Sequence, residues 1–167
     1  MKRRLFWLMV PAVALFLDWS SKQWILAHLK PGEHLTVIPG FFNLTLGFNS
    51  GAIFGVLASA PSGFRNGLFL VAGLAALGYF GYEFLKEGTP TLQRVALGLI
   101  LGGAMGNGLD RIVHGAVVDF LDFIFFGWNY WTFNIADSCI VCGAILMGLS
   151  LILSRPNPDK VSAPKAS

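Results

Sequence analysis

Charged residues are scarce in this chain of 167 residues: they make up 13% of it, and only nine are acidic. Soluble domains carry about 25% charged residues. This shortage, together with 54% hydrophobic residues and a mean hydropathy of +0.63, indicates a membrane protein. The net charge is only +3, and no dense basic run is interleaved with aromatic residues, which argues against nucleic-acid binding.

Ligands for a metal ion are also few. Cys139 and Cys142 form a C-x-x-C spacing inside an apolar run, but no second cysteine or histidine pair completes a zinc set. The three histidines are scattered without an HExxH motif, which argues against a zinc hydrolase. The glycines of "LGGAMGNG" suit close helix packing rather than a phosphate loop. We therefore predict no metal and no cofactor, and we interpret both cysteines as packing residues.

Long apolar runs, in contrast, are plentiful. Four of them cover residues 5–26, 67–85, 92–111 and 135–153, and each approaches the roughly 20 residues that a membrane-spanning helix needs. The first begins "MKRRLFWLMV", like a signal peptide, but continues into "DWSSKQWIL" without a small-residue cleavage site, so we expect it to be retained. The predicted fold class is a membrane α-helical protein with four transmembrane helices.

The distribution of lysine and arginine predicts the orientation of these helices. Four spans put both ends and the loop "KEGTPTLQR" on one side, which collects most of the basic residues and should therefore be cytoplasmic. We expect residues 1–155 to form a single membrane domain and residues 156–167, rich in proline and serine, to be a disordered cytoplasmic tail. The aspartates then lie near the outer surface.

Residues 34–60, between the first two spans, are too polar to cross a membrane and too apolar for a free loop. Their β-branched and aromatic residues around "IPG" predict short strands. We expect a small sheet at the outer membrane surface. The glycines of "SGAIFGVL" suggest a mobile apolar tip.

Polar residues at the ends of the spans are a second signal, because ionisable groups within a membrane usually serve a function. Asp18 and Lys22 stand four residues apart, which fits a neutralising ion pair on one helix face or a carboxylate that orients other groups in a cavity. Asn107, Asp110 and Arg111 close the third span, either as an end cap with an ion pair or with a direct chemical role.

Asp119 and Asp137 form the most informative pair. Asp119 lies just beyond the third span, and Asp137 lies in the first turn of the fourth, so a short link between antiparallel neighbours brings both to the same side. Two carboxyls in a partly dry site tend to share a proton, which leaves one acid and one base to activate water. We expect Asp137, at a positive helix end, to be the base and Asp119 to hold the proton. A proton-coupled transporter or a non-enzymatic scaffold would be the alternatives.

Longer motifs then point to a family. The set "DWSSK", "FNSGAIFGVL", "GGAMGNGLDRIVHGAVVDF" and "FNIADS" resembles, in order and spacing from Asp18 to about Gly143, the type II lipoprotein signal peptidases of bacteria. The chain departs from the usual family pattern at Trp19 and at Ile53. Neither departure touches the two aspartates. Asp122 follows Asp119 by three residues, one turn of a helix, so it could face the same site as a competing carboxylate. The motif alignment favours Asp119, and we expect Asp122 to meet water beyond the site.

The resemblance implies a four-span aspartic endopeptidase of the bacterial inner membrane, active toward the periplasmic face. Such an enzyme removes the signal peptide from prolipoproteins, cutting before a cysteine that carries diacylglycerol. Its partners would be these lipidated precursors and membrane lipid, and we expect a monomer. Asp119 and Asp137 would be catalytic, and the outer sheet would cradle the substrate. The remaining family positions, with a supporting or substrate-binding role, would be Asp18, Lys22, Asn49, Gly51, Asn107, Asp110, Arg111, Asn134 and Ala136.

Overall fold

The computed structural model of the chain describes residues 6–50, 61–129 and 131–154. Its four long helices are α1 (Met9–His28), α2 (Ser62–Leu85), α3 (Thr91–His114) and α4 (Ile135–Leu153). Its strands are β1 (His34–Ile38), β2 (Phe42–Asn49), β3 (Val117–Phe125) and β4 (Trp128–Asn129). Each predicted span therefore coincides with a helix. The predicted tail and the predicted mobile tip, with Gly51, lie outside the described residues.

Within the described residues, two helices are long and apolar enough to cross a membrane by length and composition. They are Gly67–Leu85 within α2, with a mean hydropathy of 1.6, and Ile135–Leu153, which is α4, with 2.1. Large apolar side chains are exposed along both, among them Leu74 and Ile145. An exposed apolar surface of this kind suits contact with lipid rather than with water.

Helix α3 is the centre of the bundle and contacts each of the other three helices. Its glycines make this possible, as the sequence predicted. A Cβ atom on Gly102 would lie 2.6 Å from the Cβ of Ala14 and 2.7 Å from the carbonyl oxygen of Pro11, both in α1. No side chain fits at that distance, so α1 approaches α3 closely only because the residue is glycine.

The sheet is antiparallel, in the order β1-β2-β3-β4, with β4 a short addition to β3. The predicted location between the first two spans was therefore incomplete, because β3 and β4 come from the connection between α3 and α4. Asp119 and Asp122 interrupt the apolar pattern of this segment, "VVDFLDFIFF", and both faces of its first half are buried. The usual alternation of polar and apolar residues is absent, so the strand was not recognised.

A small apolar cluster joins the sheet to the helices. Ile25 of α1 packs against Leu46 of β2 and against Val118 and Phe120 of β3. The sheet is thereby fixed against the end of α1, where α3 ends and α4 begins. The polar residues singled out in the sequence lie at this junction.

Candidate active site

Asn134 connects the two aspartates of the predicted pair. It is the N-cap of α4 and forms a capping box: its Oδ1 accepts a hydrogen bond from the Asp137 N–H at 2.9 Å, and Asp137 Oδ2 accepts one from the Asn134 N–H at 3.3 Å. The Nδ2 atom of Asn134 donates to Asp119 Oδ1 at 2.7 Å. One residue thus holds both carboxyl groups at the start of the helix.

Asp119 is a buried carboxyl on β3. Its second oxygen accepts a hydrogen bond from Asn49 Nδ2, at the end of β2, at 2.9 Å. Burial raises the pKa of Asp119 from its ordinary 3.8 to about 6, and the charge of Asp137 acts in the same direction, while the hydrogen bonds from Asn49 and Asn134 oppose them. Asp119 therefore holds its proton to a much higher pH than an exposed aspartate does.

Asn107 supports the other carboxyl. Its Nδ2 donates to Asp137 Oδ1 at 2.7 Å, and its Oδ1 accepts from Lys22 Nζ at 3.1 Å and from Asn134 Nδ2 at 3.2 Å. Because two donors occupy the amide oxygen, the amide cannot turn over without losing both. The side chain is therefore fixed with its N–H group toward Asp137.

Lys22 is a buried cation at the centre of this network, with 1% of its surface exposed. Its Nζ atom lies 2.7 Å from Asp18 Oδ2 and 2.8 Å from Asp110 Oδ2. The predicted ion pair between Asp18 and Lys22 is confirmed, and it is also part of a larger cluster that ties α1 to α3. Asp18 also orients another group, the Ala136 N–H, but it is not among the residues that line the cavity described below.

The same cluster fixes the backbone beside each aspartate of the pair. Asp18 Oδ1 accepts a hydrogen bond from the Ala136 N–H at 2.8 Å, and Asp110 Oδ2 accepts one from the Val118 N–H at 3.0 Å. Ala136 and Val118 are the residues that directly precede Asp137 and Asp119. Lys22 thus holds the segment before Asp137 through Asp18, and the segment before Asp119 through Asp110.

An apolar cavity of about 480 Å³ lies between the helices and borders the site. All four helices contribute to it, with Leu15, Leu74, Met105 and Ile140 among its lining side chains. Asn107 and Arg111 are the polar residues of the lining. Arg111 donates to the Asn107 carbonyl oxygen at 3.3 Å, and its guanidinium lies 5.1 Å from the ring centre of Phe69. The polar part of the lining, through Asn107, therefore connects the cavity to Asp137 directly and to Asp119 by way of Asn134.

The structure brings together most of the predicted site residues. The connected network contains Asp18, Lys22, Asn49, Asn107, Asp110, Asp119, Asn134, Ala136 and Asp137. Arg111 stands at its edge, and Gly51 lies outside the described residues. Sequence reasoning missed the apolar lining of the cavity, because nothing distinguishes those residues from their lipid-facing neighbours.

Gly106 is another residue whose role in the site was missed. A Cβ atom there would collide with the Asp18 carboxylate and lie 3.4 Å from the Cβ of Ala136. The position therefore has to be glycine for α3 to pass the site. The available signal was its spacing of three residues from Gly103, which puts both on one helix face.

Asp122 does not meet water, contrary to expectation. It is buried, with 2% of its surface exposed, and accepts a hydrogen bond from Asn43 Nδ2 on the neighbouring strand at 3.2 Å. The interpretation of Asp122 as one helical turn from Asp119 was wrong, since both lie in β3. Residues three apart in a strand point to opposite faces, so Asp122 is directed away from the side of Asp119.

Metal-binding residues are not clustered in the part of the chain that the structure describes, where no three His, Cys, Asp or Glu side chains are arranged to hold an ion. Cys139 and Cys142 are both free thiols on α4. The groups that the structure brings together at the site are two carboxyls, their amide donors and the buried ammonium of Lys22.

Comparisons with known proteins agree with this architecture. The family described as signal peptidase (SPase) II matches residues 10–153. The chain is 41% identical over 155 residues to a lipoprotein signal peptidase of Neisseria meningitidis serogroup C, covering 93% of each chain. It is 44% identical over 159 residues to that of Yersinia pestis strain Pestoides F, covering 93% of this chain and 92% of the relative.

A solved structure of a bacterial membrane enzyme, obtained by the in meso method at 1.9 Å resolution, superposes with a TM-score of 0.79. It is 32% identical to this chain, and the match covers 90% of this chain and 94% of the other. The resemblance predicted from the motifs is thereby confirmed. With a family match over most of the length and relatives above 40% identity, the chain belongs to the signal peptidase II family.

Proposed function

We propose that this protein is a membrane-embedded aspartic endopeptidase that removes the signal peptide from prolipoproteins, cutting before the diacylglyceryl-modified cysteine. The observation that carries the proposal is the junction of Asp119 and Asp137 through Asn134, beside an apolar cavity between the helices. Relatives that match nearly the whole chain are named lipoprotein signal peptidases, which supports the same substrate class.

The two carboxyls are suited to opposite roles. Amide donors from Asn107 and Asn134, together with the positive end of α4, stabilise negative charge on Asp137. Burial favours the protonated form of Asp119. In the proposed reaction Asp137 takes a proton from a water molecule as the water oxygen bonds to the scissile carbonyl carbon. Asp119 gives its proton to the carbonyl oxygen.

Collapse of the resulting tetrahedral species completes the reaction. The bond between carbon and nitrogen breaks, the leaving amine receives the proton held by Asp137, and a hydroxyl proton of the intermediate returns to Asp119. Both carboxyls are then in their starting states, and the peptide bond has been hydrolysed by one water. No metal enters any step.

The cavity explains how such a site would select its substrate. A lipidated precursor presents an apolar signal helix and two acyl chains, and an apolar space of about 480 Å³ open to these groups is adjacent to the site. Arg111, at the polar edge of the lining, is available to a carbonyl or ester oxygen of the precursor. Asn107 then connects substrate binding to Asp137.

The proposed topology has four spans with both termini cytoplasmic, in one domain formed by residues 1–155, and a monomer suffices for the reaction. In the part of the chain that the structure describes, two helices qualify as spans by length and composition alone. The others, α1 and α3, carry the buried ionic cluster, in which the Lys22 ammonium pairs with Asp18 on its own helix and with Asp110 across the bundle and so offsets part of their charge. The sheet then lies at the periplasmic surface, where secreted precursors emerge.

Cleavage of a synthetic diacylglyceryl precursor by the purified protein in detergent tests the proposal, with the same peptide lacking the lipid as the control. We expect turnover of the lipidated peptide only, and no loss of activity with a chelator. A protein that binds the precursor without cleaving it would favour a scaffold. One that moves protons across vesicles without cleavage would favour the transporter.

A further inference from the structure

The hairpin that joins β3 to β4 has an unusual residue at its tip. Phe125 pairs with Trp128, which leaves Phe126 and Gly127 as a two-residue connection. Both have positive φ angles, 52° and 81°. Turns with positive φ at both central residues strongly favour Asn-Gly or Gly-Gly, because a large side chain is strained there. Within the described residues, Phe126 is the one residue other than glycine with a positive φ.

Phe126 gains no packing against the described residues in return for this strain. The Phe126 side chain is 102% exposed, and the neighbouring Trp128 is 81% exposed. An asparagine at position 126 would make a better turn and would not present an aromatic ring to the surroundings. A strained, fully exposed aromatic residue at the tip therefore indicates a contact with something outside the chain.

Aromatic side chains pack the base of the hairpin against the rest of the sheet. Phe123 stacks on Phe42 at 4.6 Å and on Phe133 at 5.7 Å, and Phe41 meets the edge of Phe125 at 5.7 Å. These contacts tie β3 to β2 and to the segment that leads into α4. The exposed aromatic rings are therefore held out from a fixed platform.

The amino-acid composition around the hairpin indicates what the exposed tip contacts. The run "FIFFGWNYWTF" from Phe123 to Phe133 contains no charged residue and is rich in tryptophan, tyrosine and phenylalanine. It ends directly before Asn134, the cap of α4, which is apolar enough to cross a membrane. Amphipathic aromatic residues at the end of a spanning helix are typical of the boundary between headgroups and acyl chains. The hairpin thus lies shortly before a helix whose exposed apolar side chains suit contact with lipid.

We propose that Phe126 and Trp128 insert into the lipid at the headgroup boundary of the leaflet in which α4 begins. A protein partner is disfavoured because the tip offers no charge for orientation. The consequence concerns β3 as a whole, since Asp119 and Phe125 belong to the same strand. Insertion of the tip fixes the height of that strand, and so of Asp119, relative to the bilayer. This inference does not depend on the proposed peptidase reaction.

Fluorescence quenching in liposomes tests the proposal. The full chain retains Trp128 as its only tryptophan, with Trp7, Trp19, Trp24 and Trp131 replaced by phenylalanine, and the lipids carry bromine at shallow or deep acyl positions. We expect strong quenching by shallow bromines and little by aqueous iodide. Phe126→Asn should lose most of the lipid quenching, although it improves the turn. Phe126→Leu is the matched control and should retain quenching, because it keeps the apolar bulk.

A second experiment does not require the single-tryptophan variant to fold. The unmodified chain is labelled with a diazirine phospholipid, and the labelled peptides are mapped by mass spectrometry. We expect label on the peptide that contains Phe126 and Trp128. Free access of iodide without lipid quenching, or absence of label, would overturn the proposal. So would protection of Trp128 from iodide only after a precursor protein is added, since the tip would then bind protein rather than lipid.

Discussion

Replacement of Asp119 by asparagine should change how stability depends on pH, apart from any effect on activity. Burial raises the pKa of Asp119 to about 6 in the folded chain, against an ordinary value of 3.8. The folded chain therefore binds this proton more tightly than the unfolded chain does. The resulting stabilisation is fully present below about pH 4 and is lost as the pH rises through 6.

The size of the effect follows from the shift. One pKa unit corresponds to about 1.4 kcal/mol, so a shift of roughly two units amounts to about 3 kcal/mol. Asp119→Asn has no titrating proton at this position, so its stability lacks this contribution to the pH dependence. The variant also turns one N–H group toward a donor from Asn49 or Asn134, which costs about 1–3 kcal/mol at every pH. The difference between variant and wild type should thus shift by about 2–3 kcal/mol in favour of the variant from pH 4 to pH 7.

Equilibrium unfolding in detergent micelles, followed by tryptophan fluorescence at several pH values, measures this difference directly. The comparison cancels the shared titrating groups that do not interact with Asp119. A difference that stays constant with pH would mean that Asp119 ionises like an exposed carboxyl. A shift in the opposite direction would refute the assignment of Asp119 as the carboxyl that holds the proton.

Further variants test how the site is held together. Gly106→Ala forces a methyl group against Asp18 and Ala136, so it should destabilise the chain by about 1–3 kcal/mol and reduce turnover. Gly148→Ala in α4 meets open space away from the cavity lining and should have little effect on either. Lys22→Met leaves two buried carboxylates unpaired and should lower the free energy of unfolding by about 3–5 kcal/mol, measured by thermal or chemical unfolding. Adding Asp18→Asn should restore part of that stability. Unchanged stability of Lys22→Met would contradict a central role for Lys22. Reporter fusions at residue 154 and at residue 40 should report opposite sides of the membrane, and agreement between them would exclude the proposed topology.

The helices and the residues of the site were predictable because each left a direct trace in the sequence. Apolar runs give the spans, and carboxylates are conspicuous in so apolar a chain. The proximity of Asp119 and Asp137 followed from the short link between antiparallel helices. What the sequence did not reveal depends on contacts between distant segments. Strand β3 was hidden because carboxylates interrupt its apolar pattern.

The central role of Lys22 was harder to predict for a similar reason. Its spacing from Asp18 suggested a local pair, but its contacts with Asp110 and Asn107 join α1 to α3 and depend on how closely those helices pack. That closeness in turn rests on glycines whose partners a single sequence does not identify. Asp122 was misjudged because its position was taken as helical, and a strand reverses the face on which a residue three positions away lies.

Turnover of one lipidated precursor by four variants tests the central claim most directly. If Asp119 and Asp137 act as one acid–base unit, Asp119→Asn and Asp137→Asn should each lose about 10²- to 10⁴-fold in rate, with the double variant little worse than either. Asp122→Asn keeps an acceptor for Asn43 and points to the other face of β3, so its turnover should stay near that of wild type. A binding assay should show that all four still bind the precursor. Near-normal turnover by Asp119→Asn, together with an inactive Asp122→Asn, would contradict the account.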